Sequence, residues 1–379
     1  IYCYMGNFTK KIVSKTKLLH NVDLIKSALR PNCRLCAMVK ANAYGHGLRN
    51  VVEILKDDVD FFGVANLTEA LEVKKISNEK DILIVGRTSD FEKTIKNEIS
   101  FAIVSKEQFD KLLEFLHNYA RINNENLYEE TKIHIKINCG MNRFGINKLS
   151  EFSYIYKQSM KFNIKVEGIF THFPCVENVA IFEKQKLFFN RFLKEIPNNQ
   201  NPIIHIGGSG VIFEPNSKKS VYQLPNYFVD YNMVRVGILL YGYGDKGKLK
   251  NLKHAMKIIS KVVNILNVKK GEYVGYGTNF KAKSDMKIAV VPVGYADGLS
   301  RAYGEVGYLK VVIKKGNKKT KIKCPIVGKI CMDLTMIDVT NIDVQIGDEV
   351  IVLDDADMMA RKLKTISYEI LTNFSKIRT

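Results

Sequence analysis

Between residues 16 and 243 the chain alternates two patterns. Short, continuously apolar runs rich in Val and Ile are followed by longer stretches with apolar positions at helical spacing. The runs are "RLCAMVKA" (34–41), "FFGVA" (61–65), "DILIVG" (81–86), "SFAIV" (100–104), "KIHIKIN" (132–138), "KVEGIFTHF" (165–173), "IIHIGG" (203–208) and "MVRVGILLYG" (233–242). A helix over 17–29 is predicted before the first, and "KEQFDKLLEFLHNYARI" (106–122) and "AIFEKQKLFFNRFLKEI" (180–196) read as helices between later ones. Runs that are apolar throughout belong to strands covered on both faces, as in parallel sheets. Eight strand–helix units in roughly 230 residues match a (β/α)8 barrel. An open doubly wound sheet competes, but no GxGxxG follows the first strand.

After about residue 245 the pattern changes. "KIISKVVNILNV", "KIAVVPVGYAD", "YLKVVIK", "TKIKCPIVGKICMDLTMIDVT" and "DEVIVLD" are short β runs broken by Gly, Asn and Asp. Helical spacing is scarce until "SYEILTNF" near the end. The expectation is an α/β chain: a (β/α)8 TIM barrel over 10–244, then a mainly β C-terminal domain over 245–379, with residues 1–9 associated with the latter.

Composition narrows the class. With 46% hydrophobic and 26% charged residues in 379, the chain reads as an ordinary globular protein. No run approaches the roughly 18 apolar residues of a membrane span, and "IYCYMGNFTKK" lacks the apolar core of a secretory signal. A cytoplasmic location is expected, without membrane association. The net charge of +19 comes from 58 Lys+Arg against 39 Asp+Glu. These charges are dispersed and accompany no nucleic-acid-binding signature, so a solvated basic surface is expected rather than a nucleic-acid partner. Seven cysteines, an odd count in a long chain, argue against a disulfide framework. Cys33 and Cys36 form a CxxC without a second ligand pair, so no metal is expected, and Cys36 is read as a core residue.

The chemistry begins with "AMVKANAYGHG" (37–47), which sets Lys40 at the end of a buried run. A lysine there either snorkels into water or serves as a reactive amine. Barrel active sites form at the C-terminal ends of the strands. That rule collects Lys40, Lys136, Asn138, Arg143, His172, the turn "GGSG" (207–210), Arg235 and Tyr241-Gly242. Loops after the seventh and eighth strands often cradle phosphate, and "GGSG" suits that task. A lysine facing a phosphate cradle suggests pyridoxal phosphate held through Lys40. Arg235 could then reach the pyridine nitrogen. An arginine only donates, so it would keep that nitrogen unprotonated. His205 could orient Arg235, or be a satisfied core histidine.

"AMVKANAYGHG" resembles the cofactor-lysine motif of bacterial alanine racemases. "INCGMNRFG" (137–145), "THF" (171–173), "YNMVRVGILLYG" (231–242), "GYGTNF" (275–280), "VGYADGLSR" (293–301), "GKICMDLTMIDV" (328–339) and "ISYEI" (366–370) are similar to further motifs of that family, in the family's order. The resemblance implies a pyridoxal-phosphate-dependent barrel followed by a β domain, acting as a homodimer with shared active sites. It implies two-base interconversion of L- and D-alanine, supplying D-alanine for peptidoglycan. Lys40 is then the Schiff-base lysine and one base. Tyr276, from the partner subunit, is the other. Tyr44, Ser209, Gly237, Ile238 and Tyr368 match phosphate-binding positions, and Arg235 the pyridine-nitrogen ligand. Arg143 matches the arginine near the cofactor's phenolic oxygen and the substrate carboxylate. Lys136 matches a lysine carbamylated in many members. His172 matches the histidine bonded to the catalytic tyrosine. Met332 and Tyr295 match the substrate-carboxylate and entrance region.

Two positions depart from the family pattern. Gly208 stands where many members carry Asn, and Asn142 where Gly is common. Two alternatives remain at this level. A serine or broad-specificity racemase is disfavoured by Tyr368. A non-catalytic pyridoxal-phosphate barrel is disfavoured by the β runs after residue 245.

Overall fold

The computed structural model describes residues 8–174, 176, 178–207, 231–244, 249 and 251–377. Two compact units divide the chain. One contains Leu18–Lys40 and Leu48–Leu252. The other contains the residues up to Lys17, the short segment Ala41–Gly47, and Lys253 onward.

The first strand, β1 (Lys10–Val13), joins a sheet of the second unit. The next eight close a parallel barrel: β2 (Arg34–Met38), β3 (Phe61–Val64), β4 (Asp81–Ile84), β5 (Ser100–Ile103), β6 (Lys132–Lys136), β7 (Lys165–His172), β8 (Ile203–Gly207) and β9 (Met233–Val236), with β9 pairing back onto β2. The eight apolar runs therefore became the eight barrel strands. Their residues are nearly all buried, because helices cover one face of each strand and the barrel core the other. Several of the helices start where a side chain caps them. Asn66 Oδ1 accepts from Glu69 N–H, and Ser105 Oγ from Gln108 N–H.

Register sets which side chains meet. His172 pairs with Gly207 and Gly207 with Arg235. One level lower, Lys136 pairs with Phe170, and Phe170 with His205. Between β6 and β7 the register slips: Ile133 faces Val166 but His134 faces Gly168, leaving Glu167 as an extra residue in a β-bulge.

The other unit holds a five-stranded antiparallel sheet in the order β1-β10-β16-β13-β14, with β10 (Met256–Lys261), β13 (Tyr308–Lys315), β14 (Lys318–Pro325) and β16 (Glu349–Leu353). A three-stranded sheet has the order β11-β12-β15, with β11 (Asn264–Val268), β12 (Met286–Val291) and β15 (Thr335–Asp338). Val268, Val274, Ala282, Ile288, Val327 and Met336 form a core under the smaller sheet.

Two boundaries differ from the sequence reading. The run 233–242 stops being strand at Val236, because Gly237 takes φ −114°, ψ −99° and Ile238–Tyr241 wind into a 3-10 turn. "KIISKVVNILNV" is two strands in two sheets, β10 and β11. No described helix is long and apolar enough to cross a membrane.

Candidate active site

Lys40 does not sit on a strand. β2 ends at Met38, and Lys40 opens a left-handed turn. Ala41, Asn42, Ala43 and Tyr44 all have φ of 52–53°. Such a conformation costs a non-glycine residue roughly 1–2 kcal/mol. Four in succession make a strained element, of the kind that persists where surroundings over-determine it. Here the surroundings are visible. Gly45, at φ +80°, lies so close to Leu371 that a Cβ would meet its carbonyl oxygen at 2.0 Å. The buried Lys11 ammonium donates to the Gly45 carbonyl at 2.8 Å. Gly45 N–H and Gly47 N–H close the turn onto Ala41 and Asn42.

The Lys40 side chain is half-buried. Loss of water, then the nearby Arg143 cation, push its pKa down; Glu69 pulls the other way, and Arg235 adds a lesser lowering. The neighbours carry the same charge. Lys136, buried at the end of β6, is lowered to about 8 by burial, Arg235, Arg143 and Lys40. His172, ending β7, is lowered to about 3 by burial and the same four cations, so it is neutral at neutral pH. Arg235, buried in β9, is pulled down to about 10 by loss of water. The C-terminal end of the barrel thus gathers Lys40, Lys136, Arg143 and Arg235 around His172. Such a set wants an anion.

The loop carrying Arg143 is clamped by Asn138, whose Oδ1 accepts from Gly140 N–H at 3.2 Å and Asn142 N–H at 3.0 Å. Asn142 has φ +52°, which explains why a glycine position accepts asparagine, the residue that tolerates left-handed backbone best after glycine. Gly207 is required where it stands: a Cβ would meet Arg235 Nη2 at 2.4 Å and His172 Nδ1 at 3.0 Å. Gly237 and Ile238 open the 3-10 turn after β9. Ser209 and Gly208 lie outside the described residues.

In the other unit, three loops meet in series. Gly275 and Gly277, at φ +77° and +70°, hold Tyr276 between two left-handed residues and leave it 72% exposed. A Cβ on Gly328 would meet Val274 O at 2.5 Å, so the Tyr276 loop packs on the loop that leads to Met332. That loop in turn accepts Tyr295 N–H at Cys331 O and Ala296 N–H at Met332 O. Tyr276, Met332 and Tyr295 are thus three exposed side chains on adjoining loops. The same unit holds Tyr44 and Tyr368, with ring centroids 5.9 Å apart.

The CxxC carries no thiolate chemistry. Burial raises Cys36 to about 12 and Cys33 to about 11, so both stay protonated.

Comparison with known proteins decides the family. Residues 13–245 match the model of the alanine racemase N-terminal domain, and residues 255–379 that of the alanine racemase C-terminal domain. The chain is 35% identical to the alanine racemase of Borreliella burgdorferi, over 98% of this chain and 96% of that protein. It is 36% identical to alanine racemase 1 of Clostridium acetobutylicum, over 95% and 91%. The chain belongs to the alanine racemase family. Among solved structures, the alanine racemase of Clostridium difficile 630 superposes with a TM-score of 0.82 at 31% identity, covering 97% of this chain and 93% of that one. The Bartonella henselae alanine racemase, solved with covalently bound pyridoxal phosphate, gives 0.81 at 25% identity over 99% of both chains.

The barrel places His205 against Arg235, one of the two roles the sequence allowed it, and adds Thr171, His134, Glu167 and Ser100, which the sequence reading passed over. Arg235 Nη1–H donates to His205 Nδ1 at 2.7 Å, and its Nη2–H to Thr171 O at 2.7 Å. His205 Nε2 lies 2.7 Å from His134 Nδ1, and His134 Nε2 lies 3.0 Å from Glu167 Oε2. Ser100 Oγ–H donates to the same Glu167 oxygen. The signal available in the sequence was the polar interruption of apolar runs: His134 in "KIHIKIN" and Glu167 in "KVEGIF".

Proposed function

We propose that this protein interconverts L- and D-alanine with pyridoxal phosphate as cofactor, using Lys40 and Tyr276 as the two bases. The observation that carries the reading is Lys40: a half-buried amine with a lowered pKa, held by a strained turn at the mouth of a barrel ringed with cations.

The residues fit the cofactor. Its phosphate and phenolate are anionic, and the barrel mouth offers Lys40, Lys136, Arg143 and Arg235 with neutral His172 among them. Arg235 has five N–H donors and two are bound within the barrel, which leaves donors for a ring nitrogen. Tyr44, Ser209, Gly237, Ile238 and Tyr368 would hold the phosphate, with Lys40, His172 and Arg235 completing the cofactor's contacts. When bound, pyridoxal phosphate supplies an aldehyde that condenses with amines and a conjugated ring that draws electrons from the α-carbon.

The chain's own task is to move protons. Racemisation takes one proton from one face of the α-carbon and returns one to the opposite face. The Lys40 amine accepts or delivers at one face, and the hydroxyl of Tyr276 of the partner subunit at the other. In each turnover one base gains a proton and the other loses one. An unshifted lysine, with pKa about 10.4, is neutral in roughly one molecule in 2,500 at pH 7. Each unit of lowering raises that fraction about tenfold, and burial and the two arginines act in that direction at Lys40. Arg143, Met332 and Tyr295 would receive the substrate carboxylate and line the entrance.

Lys136 has a further role. With a pKa of about 8 its amine is partly neutral at neutral pH. It can add to carbon dioxide, forming an N–C bond and releasing a proton, and the carbamate would place an anion among the cations. Homodimerisation with shared sites completes the reading: Tyr276 projects from its own unit into solvent, as a residue serving another subunit would.

Borohydride trapping of bound pyridoxal phosphate, followed by peptide mass spectrometry, should place the adduct on the peptide carrying Lys40. An adduct confined to another lysine would contradict the assignment.

A further inference from the structure

The buried relay behind Arg235 has only one consistent arrangement of protons. A guanidinium has no acceptor, so Arg235 must donate to His205, and His205 Nδ1 must be unprotonated. A neutral imidazole then carries its proton on Nε2, which donates to His134 Nδ1. His134 in turn carries its proton on Nε2 and donates to Glu167 Oε2. Protonating either ring fully would set two donors face to face. The sequence of donors therefore runs one way, from the guanidinium at the barrel mouth to a carboxylate near the start of β7.

The backbone is shaped to allow this. Strict alternation along β7 would turn Glu167 away from the face bearing Phe170 and His172. The bulge adds the extra residue that brings its carboxylate to His134. Gly168 leaves the space, since a Cβ there would meet His134 Nδ1 at 2.2 Å. Ser100, buried at the start of β5, holds the carboxylate from the other side, and Lys165 lies 3.5 Å from its second oxygen. Every partner but Lys165 is buried, so water does not compete.

We propose that Glu167 is a positioning residue for Arg235: as the terminal acceptor it fixes the ring protons of His134 and His205, and thereby the orientation in which the guanidinium meets the cofactor's ring nitrogen. The role of Arg235 rests on the functional reading above; the proton order does not. Losing the acceptor leaves the His134 Nε2–H without a partner in a buried site, which favours moving its proton to Nδ1. That proton would point at His205 Nε2–H, and the mismatch would pass to Arg235.

The test is nitrogen-15 NMR of the histidine rings in the full-length protein, with pyridoxal phosphate bound and again after its removal. In the wild type, His134 and His205 should each carry a proton on Nε2 alone. A proton on His205 Nδ1, or a cationic ring at either position near neutral pH, would overturn the proposal without any variant. In Glu167→Ala, the His134 proton should redistribute toward Nδ1, and affinity for pyridoxal phosphate should fall about tenfold, the loss typical when an outer partner of a metal-bound histidine is removed. Glu167→Gln keeps an oxygen acceptor and should restore both. Ring shifts and affinity unchanged in Glu167→Ala, or losses in Glu167→Gln equal to those in Glu167→Ala, would overturn it. A protein that binds no pyridoxal phosphate, yet shows the expected ring protons, would refute the functional reading and leave the relay standing.

Discussion

At the residue scale, the roles of Lys40 and Lys136 follow from charge crowding. Lys40→Ala removes the amine, so both the absorbance band of bound cofactor and racemisation should disappear; spectra and assays of the purified variant check this. Surviving activity would assign the base elsewhere. For Lys136, carbon-13 NMR under labelled carbon dioxide should show a carbamate signal that weakens as pH falls below about 8, because the amine must be unprotonated to react. Lys136→Arg should lose the signal, since a guanidinium stays charged. His172 should remain neutral in a pH titration down to about 4, so an acid limb in the rate profile near pH 6 would have to come from another group. These pairings were only partly legible in the sequence. Strand-end counting brought Lys40, Lys136, His172 and Arg235 to one barrel end, because parallel strands present their C-termini together. Which cation acts more strongly at Lys40 was not legible: it is Arg143, reaching in from its loop, rather than Arg235.

At the element scale, the left-handed turn is where local preference and tertiary structure disagree. Ala41, at φ +53°, gains conformational relief from substitution by glycine. Ala41→Gly should raise the melting temperature by a few degrees, corresponding to roughly 1 kcal/mol, while loosening Lys40 and lowering kcat. Thermal denaturation and steady-state kinetics on one preparation measure both; a destabilised variant would mean that the turn is not strained. No sequence signal announced this turn. "MVKANAY" contains ordinary residues, and the groups packed against the adjoining Gly45, Lys11 and the chain around Leu371, are distant in sequence. The barrel strands were legible because burial on both faces leaves a continuous apolar run. The Glu167 bulge was not, because one extra residue in a strand does not alter its composition. The break between β10 and β11 was missed for a similar reason: the two strands are separated by Val262 and Val263, residues that read as more strand.

At the scale of the whole molecule, the chain divides its chemistry. The amine and arginines belong to the barrel unit, and Tyr276, Tyr295 and Met332 to the other. If active sites are shared across a dimer, mixing inactive Lys40→Ala with inactive Tyr276→Phe should recover part of the activity, up to about a quarter under random exchange, since one of the two sites in a mixed dimer is intact. No recovery despite demonstrated subunit exchange would contradict sharing. The +19 charge is spread over exposed lysines, and duplex DNA should not shift in mobility with this protein at physiological salt.

The central claim is the reaction itself. The most direct measurement incubates the purified protein with pyridoxal phosphate and L-alanine, with L-serine in parallel, and quantifies D-enantiomers by chiral chromatography. The account predicts D-alanine formed much faster than D-serine, with L-alanine recovered when the reaction starts from D-alanine. No D-alanine from protein shown to have the cofactor bound would contradict it.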